Sequence, residues 1–163
     1  MGALQILESI DWQAVSIVKL PRGIELRPCA NTDSQFIRSE SRANFFDVIS
    51  RTIGWDEEAH QRQPEDPHTY RIVYVYGERI GFLRLREDPE SLYLSTLQLL
   101  PAYRGQGIGT LLLAHVEAVA KSAGAPYVRL HVFEDHPARS LYERLGYVLA
   151  RRTEFGRVLE KRI

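Results

Sequence analysis

Ile24 and Leu26 alternate with Glu25 and Arg27 in GIELRPC, residues 23–29, which is the period-two pattern of a half-buried strand that Pro28 helps to end. The period then changes. Across 31–50, Phe36, Ile37, Phe45, Phe46 and Ile49 fall at roughly helical spacing behind the capping types Asn31, Thr32 and Asp33. A second, more polar helix or turn starts at WDEEAHQRQ, where Asp56, Glu57 and Glu58 suit an N-terminal turn and Gly54 marks the joint. From His68 to Leu100, β-branched and aromatic residues dominate, and turn signals at Gly77-Glu78 and Asp88-Pro89 divide them into a three-stranded meander. A stripe of Ile108, Leu112, Val116, Val119 and Ala123 predicts the next helix, with Lys121 in its last turn and Gly124 and Pro126 as stops. YVRLHVF then reads as a strand. HPARSLYERLG reads as a helix with Pro137 near its start and Gly146 past its end, and YVLARR and RVLEKRI as a hairpin around Phe155-Gly156. This order predicts a mixed α/β sheet, only part of it parallel. Residues 1–22 show no clean period and are taken as an N-terminal extension, a short helix or accessory strand, ahead of one domain over 23–163.

Composition narrows the class. The 163 residues suit a single domain, and 44% hydrophobic with 26% charged residues is ordinary for a globular protein with a sizeable core. Lys plus Arg and Asp plus Glu both number 21, so no global charge argues for nucleic acid or an anionic membrane as partner. Glu8, Asp11 and Lys19 interrupt any signal-like apolar run, and no segment approaches the ~20 apolar residues of a membrane span. The single cysteine, Cys29, excludes an internal disulfide, so a cytoplasmic location is expected. Nothing around Cys29 suggests an activated thiolate.

The chemistry concentrates in LLPAYRGQGIGT, residues 99–110, where Gly105, Gly107 and Gly109 follow a strand and open a helix. Bare backbone amides at a helix N-terminus bind anions, phosphate above all. The dipole alone supplies only ~0.3–2 kcal/mol, so several charge-assisted hydrogen bonds and the fixed charge of Arg104 are expected to act together. A Walker-type loop needs a Lys after its last glycine, and none occurs until Lys121. The dinucleotide fingerprint needs a different glycine spacing inside a first βαβ unit, whereas this loop follows a meander.

Arg104-Gly105-Gln106-Gly107-Ile108-Gly109 resembles the R/Q-x-x-G-x-G/A signature of the GCN5-related N-acetyltransferases, and LHVFEDHPARSLYERLGY resembles that family's fifth strand and fourth helix. The resemblance spans about 23–150 and is strongest over 92–147. It implies a single-domain mixed, mostly antiparallel sheet flanked by helices, with splayed fourth and fifth strands, and acetyl-CoA as cosubstrate without a metal. By position, Leu97, Gln98 and Leu99 would pair with the pantetheine arm, the Leu99 amide donating to the thioester oxygen. Arg104, Gly105, Gln106, Gly107, Ile108, Gly109 and Thr110 would hold the pyrophosphate. Tyr142 aligns with the tyrosine that protonates the departing thiolate. Asp135 stands where the family often has Asn, a departure that leaves it to cap the helix or face the coenzyme; Ala138 and Arg139 stand on the coenzyme side.

Deprotonating a lysine-like amine at pH 7 costs roughly 4–5 kcal/mol, so a base is expected. Glu40, Asp56, Glu57, Tyr93, His131 or an ordered water remain open for that role. Phe45, Trp55 and Glu57 are expected at an aromatic and acidic mouth for the amine, with His131 nearby. The acceptor class stays open among small-molecule amines and peptide or protein amines, and a homodimer is expected from the family alone. The rival reading is a catalytically silent coenzyme A sensor.

Overall fold

A computed structural model describes residues 17–163, so the reading of residues 1–16 lies outside them. The chain forms β1 (Val18–Lys19), β2 (Ile24–Pro28), α1 (Ser34–Arg51), α2 (Glu57–Gln61), β3 (Tyr70–Val75), β4 (Glu78–Asp88) and β5 (Ser91–Leu99). It continues with α3 (Ile108–Ser122), β6 (Tyr127–Phe133), α4 (Ala138–Arg144), β7 (Val148–Arg152) and β8 (Gly156–Arg162). Every long element stands where the hydrophobic pattern predicted it. Within the expected N-terminal extension, β1 pairs with β2 through Val18–Leu26 and Lys19–Glu25.

The eight strands lie in the order β1-β2-β3-β4-β5-β6-β8-β7. All pairings are antiparallel except β5 with β6. That parallel pair joins only Ser91–Leu94 to Tyr127–Leu130. Beyond Leu94 the two strands part, leaving Thr96 to Leu99 paired to β4 on one side only. The end that stays together is clamped by Arg129, which reaches Asp88 at 3.1 Å, Glu90 at 3.2 Å and Glu160 at 2.8 Å.

Each face of the sheet is covered by one long helix. Ile108, Leu112, Leu113, Val116 and Ala120 of α3 pack on Ile24, Leu26, Leu83, Leu92 and Leu130 of the sheet. Burying side chains of this size stabilises by ~1.5–3 kcal/mol each, so packing rather than local propensity holds a helix with so glycine-rich a start. On the other face Ile37 of α1 joins Tyr70, Ile72 and Phe82. Ile37 is the only buried residue of α1, and Phe46 is 37% exposed, so the apolar spacing read along 36–49 is not one core stripe. The N-terminal half of α1 leans on the sheet, with Phe36 edge-on to Phe82 at 6.1 Å. Its C-terminal half leaves the core and becomes the wall of a cleft.

Candidate active site

The cleft has a volume of about 1370 Å³ and opens where β5 and β6 diverge. Its floor includes Leu97, Gln98 and Leu99, and one wall is the glycine loop with the first turn of α3. Phe45 and Val48 of α1, with Thr52 just past its end, form a second wall. Ala138, Leu141 and Tyr142 of α4, with Thr153 to Phe155 of the β7–β8 turn, close the rest.

Backbone geometry explains two of the three glycines. Gly105 and Gly107 have φ of 70° and 82°, a region costly for residues bearing a Cβ. No side chain caps α3, and its first intrahelical bond runs from Leu111 N–H to the Gly107 carbonyl at 3.2 Å, leaving the preceding amides without a helical acceptor. Gly105, Gly107, Gly109 and Thr110 line the cleft; Gln106 and Ile108 do not. The Gln106 side chain donates to the Ala102 carbonyl at 2.7 Å, and Ile108 is a core residue, so these two bring only their main chain to the loop.

The strand edge is equally defined. Leu100 N–H donates to the Ile80 carbonyl of β4 at 2.8 Å. Because antiparallel pairing alternates, the amides of Leu99 and Leu97 turn the other way, toward the splay. The Leu99 carbonyl accepts Arg104 Nε–H at 2.9 Å, and Arg104 also donates to Asn44 Oδ1 at 2.9 Å. Asn44 in turn donates to buried Gln98 at 2.9 Å, and Gln98 to Thr96 at 3.0 Å. Arg104 is therefore a bracket joining loop, strand and α1, a position that its charge alone did not indicate.

Tyr142 is 7% exposed, lines the cleft and packs edge-on to Tyr147 at 5.8 Å, and among the described residues its hydroxyl has no side-chain hydrogen bond. Burial pushes its pKa up to about 12, so the phenol stays protonated at neutral pH. Cys29 is pushed up to about 11, by burial first and then by Asp33, so its thiol stays protonated at neutral pH.

Several of the expected site residues stand off the cleft or in other bonds. Arg139 lies off the cleft, ion-paired along α4 with Glu143 at 2.7 Å, while Arg144 lines it instead. Asp135 lines the cleft but does not cap α4; the Ala138 N–H donates to His136 Nδ1 at 3.1 Å. Phe45 reaches the cleft, facing Phe133 at 6.5 Å and His136 at 6.3 Å. Trp55 and Glu57 do not line it. Glu57 accepts bonds from Gln61, Arg42 and Trp55, which hold its carboxyl down to about 2, and Trp55 packs on His60 at 4.7 Å. Neighbours on α1 and α2 thus consume the acidic mouth. Asp56 is spent capping α2 through Ala59 N–H at 2.9 Å, and Glu40 and Tyr93 also lie off the cleft. His131 stands one residue behind the lining, its Nε2 2.9 Å from Thr153 Oγ1. Thr153 went unnoticed because nothing in its own neighbourhood marks it.

Burial lowers the pKa of His115, His131 and His136, with Arg71, Arg151 and Arg104 respectively adding to it. The unfolded chain takes up protons near the ordinary imidazole value of ~6.5, where the folded chain still resists them, so stability is complete above that value and is lost as pH falls through it. Protonating His136 would also remove the acceptor for Ala138. The melting temperature is expected to drop between pH 7.5 and 5.5; a flat profile in thermal scans would contradict this reading.

Among the described residues, no cluster of three His, Cys, Asp or Glu could hold a metal, and no helix is long and apolar enough to cross a membrane. Residues 34–147 match the model of the acetyltransferase (GNAT) family. An uncharacterized N-acetyltransferase, YdgE of Bacillus subtilis, is 31% identical over 93 residues, covering 54% of this chain and 59% of its own. Streptothricin acetyltransferase of Streptomyces lavendulae is 28% identical over 94 residues, covering 56% of this chain and 50% of its own, so the chain spans little more than half the length of these relatives. In three dimensions, PaiA N-acetyltransferase from Thermoplasma acidophilum, solved with coenzyme A, superposes with a TM-score of 0.67 at 19% identity, over 86% of this chain and 99% of that one. A family match over most of the chain, on a sheet that splits behind an uncapped glycine loop, means that this protein belongs to the acetyltransferase (GNAT) family.

Proposed function

We propose that the protein is an acetyl-CoA-dependent N-acetyltransferase that acetylates a primary amine by direct attack within a ternary complex. The observation that carries this reading is a cleft lined together by the uncapped glycine loop, by Leu97 to Leu99 of the strand edge and by Tyr142. These groups fit the coenzyme: loop amides for a diphosphate, the strand edge for the amide-bearing pantetheine arm, and a cleft that exceeds the ~300–1,000 Å³ of ordinary ligand pockets. When bound, acetyl-CoA would supply the electrophilic thioester and a thiolate leaving group.

The protein's own groups do the rest. The Leu99 N–H, aimed at the splay, donates to the oxygen that gains charge during attack. Tyr142 Oη donates its proton toward the departing sulfur. With His131 in its Nδ1–H tautomer, Thr153 Oγ1 accepts a proton from the incoming ammonium while its own hydroxyl proton passes to His131 Nε2. Phe45 and Phe133 flank the acceptor's entry. Incubation with acetyl-CoA and a panel of polyamine, aminoglycoside, amino acid, peptide and protein amines is expected to release free thiol with at least one acceptor class. Tight coenzyme binding without turnover on any of them would favour a sensor instead.

A further inference from the structure

The glycine loop has a contact from outside the stretch that the family model matches. Arg22 lies in the turn Pro21–Gly23 that leads into β2, and its guanidinium donates to the Gln106 carbonyl. One guanidinium nitrogen stands 3.3 Å from where a Cβ on Gly107 would lie. We propose that Arg22 is a positioning residue of the loop, holding the Gln106–Gly107 peptide with its N–H turned into the cleft so that the phosphate cradle is complete before the coenzyme arrives. This rests on the reading of the loop as a coenzyme cradle.

The argument begins with the peptide unit itself. In a trans peptide the C=O and the following N–H point in opposite directions. A carbonyl tied to Arg22, which is not among the residues lining the cleft, therefore aims the Gly107 amide away from Arg22, and Gly107 lines the cleft. The loop needs such a tether. Gly105 and Gly107 both have positive φ, and glycine crosses between backbone regions at little steric cost, so an untethered peptide between them is free to flip. A flipped peptide would present a carbonyl dipole to the phosphate. Gln106 is already held through its side chain on Ala102, but that bond leaves its own carbonyl free. Arg22 supplies the missing restraint.

Its placement is itself secured. Arg22 and Gly23 have φ of 63° and 71°, which turns the side chain off the strand direction. Leu20 N–H donates to the Ile24 carbonyl at 2.8 Å and Tyr76 N–H to the Gly23 carbonyl at 3.1 Å, so the turn is fastened to β2 and to the β3–β4 hairpin. Among the described residues Arg22 has no carboxylate partner, which leaves its charge beside the loop.

The test measures affinity of the whole protein for coenzyme A and for dephospho-coenzyme A by calorimetry, with the Gly107 amide followed by NMR. Arg22→Ala is expected to weaken both ligands equally, by roughly tenfold for one charge-assisted bond, and to shift the ligand-free Gly107 amide signal. Arg22→Lys, which keeps a donor in reach, is expected to recover part of both effects. If the alanine variant does not fold, Arg22→Met keeps the stem, drops the donors and takes its place. Unchanged affinity, or a loss confined to coenzyme A with dephospho-coenzyme A unaffected, overturns the proposal, the latter by making Arg22 a direct ligand of the 3′-phosphate. Failure of the unaltered protein to bind either ligand sinks the cradle reading, and this inference with it.

Discussion

Tyr142→Phe is expected to lower kcat by roughly 10²-fold while leaving coenzyme affinity nearly unchanged, since general acid catalysis contributes ~10²–10⁴ and this phenol stands at the lower end of that range. Among the described residues the hydroxyl has no bond to another side chain, so its removal leaves the ring packed against Tyr147 and the core intact. Burial keeps the group neutral, with a pKa near 12, which makes it a permanent donor at physiological pH. The same shift makes it a weak acid. A thiol titrates near ~8.5, so complete transfer from such a phenol to a thiolate is uphill, and the benefit lies in a hydrogen bond that strengthens as charge reaches sulfur. Rapid-quench or thiol-release kinetics on the variant decide it. Unchanged kcat removes Tyr142 from the chemistry, and a rise in coenzyme Kd with kcat intact would make it a binding residue only.

The second large effect is expected at Gly107. Gly107→Val forces a β-branched residue into φ of 82° and drives its side chain toward the Arg22 guanidinium. The loop can escape that strain only by changing the 106–108 backbone, which turns amides away from the cleft. Losing one or two charge-assisted bonds of about 1.5–3 kcal/mol each corresponds to a loss of coenzyme affinity from about tenfold to about 10⁴-fold. The fold is expected to persist, because Gly107 is exposed and α3 is held by Leu112, Leu113 and Val116 further along. Calorimetry with acetyl-CoA checks the affinity and a thermal melt checks the fold. Wild-type affinity in a folded variant would remove the loop from coenzyme binding.

How much of the site was legible depends on where its parts lie along the chain. The glycine loop, the strand before it and Tyr142 sit in contiguous motifs, and the cleft gathers them as their order suggested. The bracket residues were illegible for the opposite reason. Arg22 meets Gln106 across 84 positions, Arg104 meets Asn44 across 60, and His131 meets Thr153 across 22. No local pattern encodes such distances. Trp55 and Glu57 lie off the cleft for a different reason. An aromatic and an acid near the expected acceptor region fit a mouth for a cation, but Arg42, Gln61 and His60 were closer and satisfied them first. Arg139 met the same fate four residues from Glu143.

The amino-acid order alone determined the elements, their succession and the anion-binding character of the loop, because hydrophobic period, turn chemistry and glycine placement act over a few residues at a time. The three-dimensional packing alone decided which carboxylates and arginines face the cleft, which are neutralised elsewhere, and that β8 inserts between β6 and β7. Those outcomes turn on competition among partners far apart in the chain. Such competition is resolved only when the sheet closes and each charge takes the neighbour that burial and geometry bring nearest.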